Sequence, residues 1–422
     1  MARLAATRRA AERAGPRVAL AAVLLSMAFP AQADDGFAAC LSELRRDALG
    51  KGISAATFDD GTRGLAPDRS VLELLDFQPE FRTPIWDYLA ALVDDERIAD
   101  GRAMLERWRD TLAEVERRYG VDPQTVVAVW GVESDFGRSF GSRPLLTSLA
   151  TLSCYGRRQG FFRGEFVATL RIVQEGHVPA EQLVGSWAGA FGHTQFMPST
   201  FQRLAVDFDG DGRRDIVGSV PDALASTANF LRRAGWRTGE PWGWEVRLPA
   251  GFDASLAGRR SKRALSEWAA LGVRPVAAPG PAAAPAAGLA DPQARAAVLL
   301  PAGPAGPAFL VLRNFDAVYS YNAAESYALA IAHLADRLRG GAPFAAAWPT
   351  DDPGLSRAQR RELQALLAER GHDIGPVDGM IGARSREAIR AEELRLGRAP
   401  SGRAGLGILE ALRPAGAAGA SR

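Results

Sequence analysis

Glu133 stands near the end of an apolar stretch, Val129-Trp130-Gly131-Val132-Glu133-Ser134-Asp135-Phe136-Gly137. A carboxyl among Val and Trp side chains is partly desolvated, and desolvation raises its pKa. A carboxyl that keeps its proton near neutrality can serve as a general acid. Alone, the residue would read as a solvated helix-end glutamate, since charged residues are mostly exposed. The chain supplies company for it. Arg157-Arg158 and Phe161-Phe162 follow, then a Gly-rich run from Gly185-Ser186 to His193-Thr194-Gln195-Phe196-Met197-Pro198-Ser199. Tyr321-Asn322 comes later, ahead of Ser326-Tyr327-Ala328. The glycines allow close backbone approach, and Gln195 can both donate and accept hydrogen bonds. Aromatic faces, amides and hydroxyls around one acid suit a groove for a sugar chain. The plain alternative is a helix-packing turn followed by a polar loop.

An ordinary glycosidase uses two carboxyl groups. Here no second acid stands in a comparable motif. Asp135, two residues on, would point to another face of a helix. A second acidic cluster reads as the first nine positions of a calcium loop, Asp207-Phe208-Asp209-Gly210-Asp211-Gly212-Arg213-Arg214-Asp215. Acids fall at positions 1, 3, 5 and 9 (Asp207, Asp209, Asp211, Asp215) and glycine at 6. Gly218 occupies position 12, where a bidentate glutamate is usual, with Asp222 further on as a substitute. The loop is read equally as a structural calcium site or as a plain Asx-rich turn. No catalytic metal or other cofactor is required by a single-glutamate site, and two cysteines with four histidines make no zinc site.

These residues need helices to hold them. Thr111-Leu112, Val115, Tyr119 and Val121 keep a helical apolar spacing. Asp122-Pro123 then starts a helix that carries Glu133, and Gly137 can close it. Further helices are expected over Pro221–Arg233 and Ala323–Arg339. Strand signals are few, with Trp244–Leu248 and Phe309–Leu312 the best. The fold class is mainly α with a minor β element. Val276–Ala297 is rich in Ala, Pro and Gly and reads as a surface excursion; Gly340–Pro353 reads as a linker. Beyond it, Leu355–Leu412 forms a small unit. A helix from Ser356 places Leu363, Leu366 and Leu367 on one face, Gly375-Pro376-Val377-Asp378-Gly379 turns, and Ser385–Leu394 is helical.

The N-terminus reads as an address. Arg8, Arg9, Arg13 and Arg17 precede an apolar run from Val18 to Pro30, and Ala31-Gln32-Ala33 offers a cleavage site. The run is too short for a permanent membrane span. An exported, periplasmic protein is therefore expected. Cys40 follows Phe37-Ala38-Ala39, but Asp34-Asp35 separates it from the apolar run, which argues against lipidation. Cys40 and Cys154, the only cysteines, are expected to pair in an exported protein; two buried thiols are the alternative. A formal net charge of +2, with arginines dispersed, gives no case for a nucleic-acid partner.

From about Phe37 to Arg339 the sequence resembles the B-type lytic murein transglycosylases. The resemblance rests on Gly131-Val132-Glu133-Ser134, on Gly192-His193-Thr194-Gln195-Phe196-Met197-Pro198-Ser199 and on Tyr321-Asn322 before the Tyr327-Ala328 helix. Residues 355–412 resemble the three-helix peptidoglycan-binding domain, less closely from Arg398 to Gly407. The resemblance implies a lysozyme-like α+β catalytic domain acting on peptidoglycan glycan strands. The organisation expected is a signal peptide (1–33), a catalytic domain (34–339), a linker (340–353), a peptidoglycan-binding domain (354–413) and a tail (414–422). It implies that Glu133 is the catalytic acid and base, that Ser186, Gln195, Asn229, Tyr321 and Asn322 line the groove, and that Arg157-Arg158 meets a stem peptide or sugar carboxylate. At the position after Asn229, some members carry an aromatic hydroxyl where this chain has Phe230. With one carboxyl, the implied route is substrate-assisted and ends in a 1,6-anhydro ring. A muramidase on the same fold, or a non-catalytic wall-binding protein, are the competing readings.

Overall fold

A computed structural model gives the fold and describes residues 35–76, 83–276 and 291–414. The expected signal peptide, and all but the first residue of the expected tail, lie outside the described residues. The first helices are α1 (Asp35–Gly50), α2 (Ala55–Gly61), α3 (Ser70–Glu73), α4 (Ile85–Leu92), α5 (Asp95–Arg107), α6 (Arg109–Tyr119) and α7 (Pro123–Ser134). Then come α8 (Leu145–Tyr155), α9 (Gln159–Gln174), α10 (Pro198–Leu204), α11 (Val220–Arg233), α12 (Leu265–Ala270), α13 (Arg313–Asn322) and α14 (Glu325–Leu338).

Helix α7 sits at the centre. The Asp122 carboxylate caps it by accepting the Thr125 N–H at 2.9 Å, and Pro123 takes the first helical position, where its missing N–H costs nothing. Every residue from Thr125 to Gly131 is buried. A helix apolar on all sides must be enclosed, and α5, α6, α11 and α14 enclose this one. A second core joins α8 and α9 to α1, α2 and α3. The Cys40–Cys154 disulfide closes it by tying α1 to the end of α8.

The β element is larger than the sequence suggested. Strands β1 (Arg143–Pro144) and β2 (Val184–Gly185) make one antiparallel pair. A five-stranded antiparallel sheet comprises β3 (Gly243–Arg247), β4 (Arg263–Ala264), β5 (Arg274–Pro275), β6 (Arg295–Leu299) and β7 (Ala308–Val311), in the order β4-β6-β7-β3-β5. Alternate residues face opposite sides of a strand. Ala297, Leu299, Phe309 and Val311 thus join the central core, while Ala296, Val298, Ala308 and Leu310 pack with Trp244, Val246 and Trp268 on the far face. Strand β6 begins inside the stretch read as a surface excursion, because both of its faces are covered and its apolar run shows no alternation. Residues 277–290 of that stretch are outside the described residues.

Two other expectations change. The helix expected over Ala323–Arg339 starts at Glu325, and a separate helix, α13, precedes it. Ala323 makes the corner between them in the left-handed region, φ 51°. The stretch expected to be a linker is instead a strap packed on the large helical unit that precedes it. Phe344 stacks on His333 with ring centroids 3.8 Å apart, and the N–H groups of Ala345 and Ala346 each donate to the Glu245 carboxylate at 2.7 Å.

Beyond the strap lie α15 (Arg357–Glu369), α16 (Ala383–Arg395) and α17 (Leu406–Leu412). Ser356 and Gln359 form a reciprocal capping box at the start of α15. Leu363, Leu366 and Leu367 pack with Ile389, Ile408 and Leu409 into a separate small core. Among the described residues no helix is long and apolar enough to cross a membrane.

Candidate active site

Glu133 is half-buried, one residue before the end of α7. The helix does not run on to Gly137. Asp135, Phe136 and Gly137 take φ of 50°, 58° and 84° in succession, so the chain turns sharply away behind the carboxyl. Gly131 makes room for this turn: a Cβ there would lie 2.7 Å from the Phe136 ring. The opposite side of α7 is locked to the Gly-rich run. Trp130 Nε1–H donates to Nδ1 of His193 at 2.9 Å, and the Ser134 hydroxyl donates to the His193 carbonyl at 2.8 Å. Burial pulls the His193 pKa down to about 4, so the ring is neutral and its Nδ1 can accept.

Helices α13 and α14 supply the wall facing Glu133. The phenol of Tyr327 donates to Glu133 Oε1. Tyr321 lies roughly parallel to Tyr327 with centroids 6.2 Å apart, and its hydroxyl donates to the Thr194 carbonyl at 2.7 Å. Phe230 and Phe196 pack on Tyr321 at 4.5 and 5.8 Å. Burial pushes both phenols well above the ordinary tyrosine range, and the charge of Glu133 pushes the same way. Both are neutral donors, Tyr327 to Glu133 and Tyr321 to the Thr194 carbonyl. Tyr327 had no assigned role in the sequence. A usable signal was there: a buried Tyr in an apolar helix must find a partner for its hydroxyl.

The structure brings some expected residues together and disperses others. Glu133, Tyr321 and the Thr194-Gln195 segment form one connected set. Gln195 itself has φ 47°, and its amide nitrogen donates to the carbonyls of Gly192 (2.8 Å) and Phe140 (3.3 Å). Ser186 closes the turn before it by accepting the Ala190 N–H at 3.0 Å. Asn229 is occupied structurally, its amide donating to the Leu204 carbonyl at 2.8 Å and so tying α11 to α10. Asn322 is exposed at the end of α13. Arg157 and Arg158 sit exposed between α8 and α9, with the Arg158 guanidinium over the Phe161 ring at 4.6 Å.

Asp135 is engaged in ion pairs. Its carboxylate is held by Arg357 at 2.7 Å, Arg138 at 3.3 Å and Arg97 at 3.4 Å. In the acidic loop, Asp207, Asp209 and Asp211 offer oxygens within 4.8 Å of one another, a donor set that fits a hard cation such as calcium. Asp215, expected as a fourth ligand, is outside this cluster. It is buried, and its Oδ1 accepts the N–H groups of Val217 (2.9 Å) and Gly218 (2.7 Å), as a buried carboxylate must find donors. Asp222 accepts three backbone N–H groups, from Phe208, Asp209 and Asp215, and does not substitute.

A half-buried carboxyl paired with a buried phenol beside an aromatic wall has the makings of a general acid for a sugar chain. Residues 36–336 match the transglycosylase SLT domain, and the chain belongs to that family of lytic transglycosylases. Residues 356–412 match a peptidoglycan binding domain. The membrane-bound lytic murein transglycosylase B of Escherichia coli is 31% identical over 280 residues, which are 63% of this chain and 73% of that protein. SltB3 from Pseudomonas aeruginosa, in complex with NAG-anhNAM-pentapeptide, is 49% identical with a TM-score of 0.71, covering 90% of this chain and 99% of SltB3. The Escherichia coli lytic transglycosylase Slt35 in complex with calcium is 29% identical with a TM-score of 0.61, covering 71% of this chain and 92% of Slt35.

Proposed function

We propose that this enzyme cleaves the β-1,4 bond between N-acetylmuramic acid and N-acetylglucosamine in peptidoglycan, with Glu133 as sole acid and base. The observation that carries this is the pairing of Glu133 with Tyr327 while Asp135 is tied up by three arginines. Protonated Glu133 gives its proton to the glycosidic oxygen as the C1–O bond breaks. The muramic N-acetyl oxygen supports the electron-poor C1. The carboxylate of Glu133 then takes the proton of the C6 hydroxyl, and O6 attacks C1 to close a 1,6-anhydro ring. The proton taken replaces the proton given, and no water is consumed. Tyr327 orients the carboxyl throughout. Tyr321, Asn322, Gln195 and Ser186 line the groove, Asn229 braces it, and Arg157 and Arg158 meet acidic groups of the substrate. The complex of SltB3 with an anhydro-muramyl ligand supports this product.

We assign residues 34–339 to catalysis and 354–413 to wall binding, with export to the periplasm directed by residues 1–33. Calcium at Asp207, Asp209 and Asp211 has a structural role. Mass spectrometry of sacculi digested by the enzyme tests the reading. Anhydro ends support it, whereas reducing ends would make the enzyme a muramidase.

A further inference from the structure

The C-terminal unit reaches the turn behind Glu133. Arg357, the first residue of α15, donates through both terminal nitrogens to Asp135, at 2.7 Å to Oδ1 and 3.4 Å to Oδ2, and lies 3.7 Å from Asp100. Its backbone N–H donates to Asp94 Oδ2 at 3.0 Å, while Asp94 Oδ1 caps α5 through the Arg97 N–H at 2.8 Å. Asp94, Asp100 and Asp135 therefore face Arg97, Arg138 and Arg357, with the Arg360 guanidinium beside Asp94, Arg97 and Arg357 as a further charge. The side chains of Arg357 and Arg97 are only 11% and 8% exposed, so this is not a solvent-screened surface pair. A bidentate guanidinium fixes a carboxylate in direction as well as in place.

What it fixes is costly backbone. Asp135 and Phe136 are both non-glycine residues at positive φ, a state that persists only when the surroundings over-determine it. Phe136 holds the turn from inside, edge-on to Trp130 with centroids 5.8 Å apart. Arg357 holds it from outside, from a different domain. The amides of Asp135, Phe136, Gly137 and Ser139 all close onto the end of α7, which carries Glu133.

We infer that Arg357 is a positioning residue for catalysis, through which the wall-binding unit sets the turn that orients Glu133. This rests on the assignment of Glu133 as the acid. The cell-wall module thus supports turnover directly and does not serve only to raise local concentration.

The test uses the full chain and a short soluble glycan fragment, so that wall binding does not enter. Arg357→Ala should lower kcat about ten- to a hundredfold, the scale of a misplaced catalytic group, with KM within about twofold. Arg357→Lys should recover part of the loss, since an ammonium keeps the charge and loses the fork. Arg361→Ala, which removes the neighbouring interdomain pair with Glu96, should leave kcat within about twofold. Hydrogen exchange at the Asp135, Phe136, Gly137 and Ser139 amides should quicken in Arg357→Ala and not in Arg361→Ala. Unchanged kcat in Arg357→Ala, or an equal loss in Arg361→Ala, overturns the inference. If Glu133→Gln still cuts the fragment, the Glu133 assignment fails, and the exchange measurement decides the Arg357 contact by itself.

Discussion

The phenol of Tyr327 on α14 donates to Oε1 of Glu133 on α7, so the proposed acid is held by a group 194 residues further along the chain. Neighbouring Tyr321 uses its own hydroxyl on Thr194, which leaves the two phenols with separate duties. One meets the proposed acid and the other ties the Gly-rich loop to the wall.

Glu133→Gln should abolish cleavage while leaving the fold and the binding of sacculi intact. The amide has the shape of the acid and cannot supply its proton, so a loss of about 10²- to 10⁴-fold or more in kcat is expected. Turnover by the purified variant, read as anhydro ends, checks this. Retention of a substantial share of wild-type rate would remove Glu133 from the mechanism.

Tyr327→Phe keeps the ring and removes only the donated hydrogen bond. Turnover should fall by about tenfold or more, because a carboxyl free to rotate spends less time aimed at the glycosidic oxygen. Melting temperature, measured alongside, should move little. A variant with wild-type kcat would show that the phenol is packing alone.

Calcium should raise the melting temperature and chelator should lower it, since a ligand of the folded state stabilises it by mass action. With no glutamate at position 12 the titration must reach about 1 mM. Asp209→Ala should erase the response, and turnover at low temperature should change little. A flat melting curve across the titration makes the loop an acidic turn.

Acid should destabilise the fold through two buried histidines. Burial lowers His193 to about 4 and His333 to about 3, against an ordinary value of 6.5. With folded values depressed, the unfolded chain binds more protons between those limits. Their contribution is therefore complete above pH 6.5 and is lost as pH falls toward 4 and 3. Asp336, raised by burial to about 6, opposes this between pH 3.8 and 6, where the folded state holds the extra proton. His333→Phe keeps a ring against Phe344 and should flatten the loss of stability below pH 6.5. An unchanged slope of melting temperature against pH would show that His333 titrates alike in the folded and unfolded chain.

The helix bearing Glu133 was legible because its signals are local. Asp122 caps, Pro123 starts, and an unbroken apolar run allows only a buried helix. The small C-terminal core was legible for the same reason, from the leucines of α15. Helix α13 was not, since Asn314, Asp316 and Ser320 are poor helix formers and tertiary contacts, with α14, β7 and α11, hold them helical. The strap at Phe344 read as a linker because its Ala, Pro and Gly content hides contacts made with distant His333 and Glu245. Sequence could propose Glu133 from its neighbours. It could not say that Tyr327 would face it, that Asp215 would turn inward, or that Arg357 would grip Asp135. Those pairings span up to 222 residues, and no local rule of spacing relates side chains so far apart. They exist only once the packed helices bring the groups within hydrogen-bond reach.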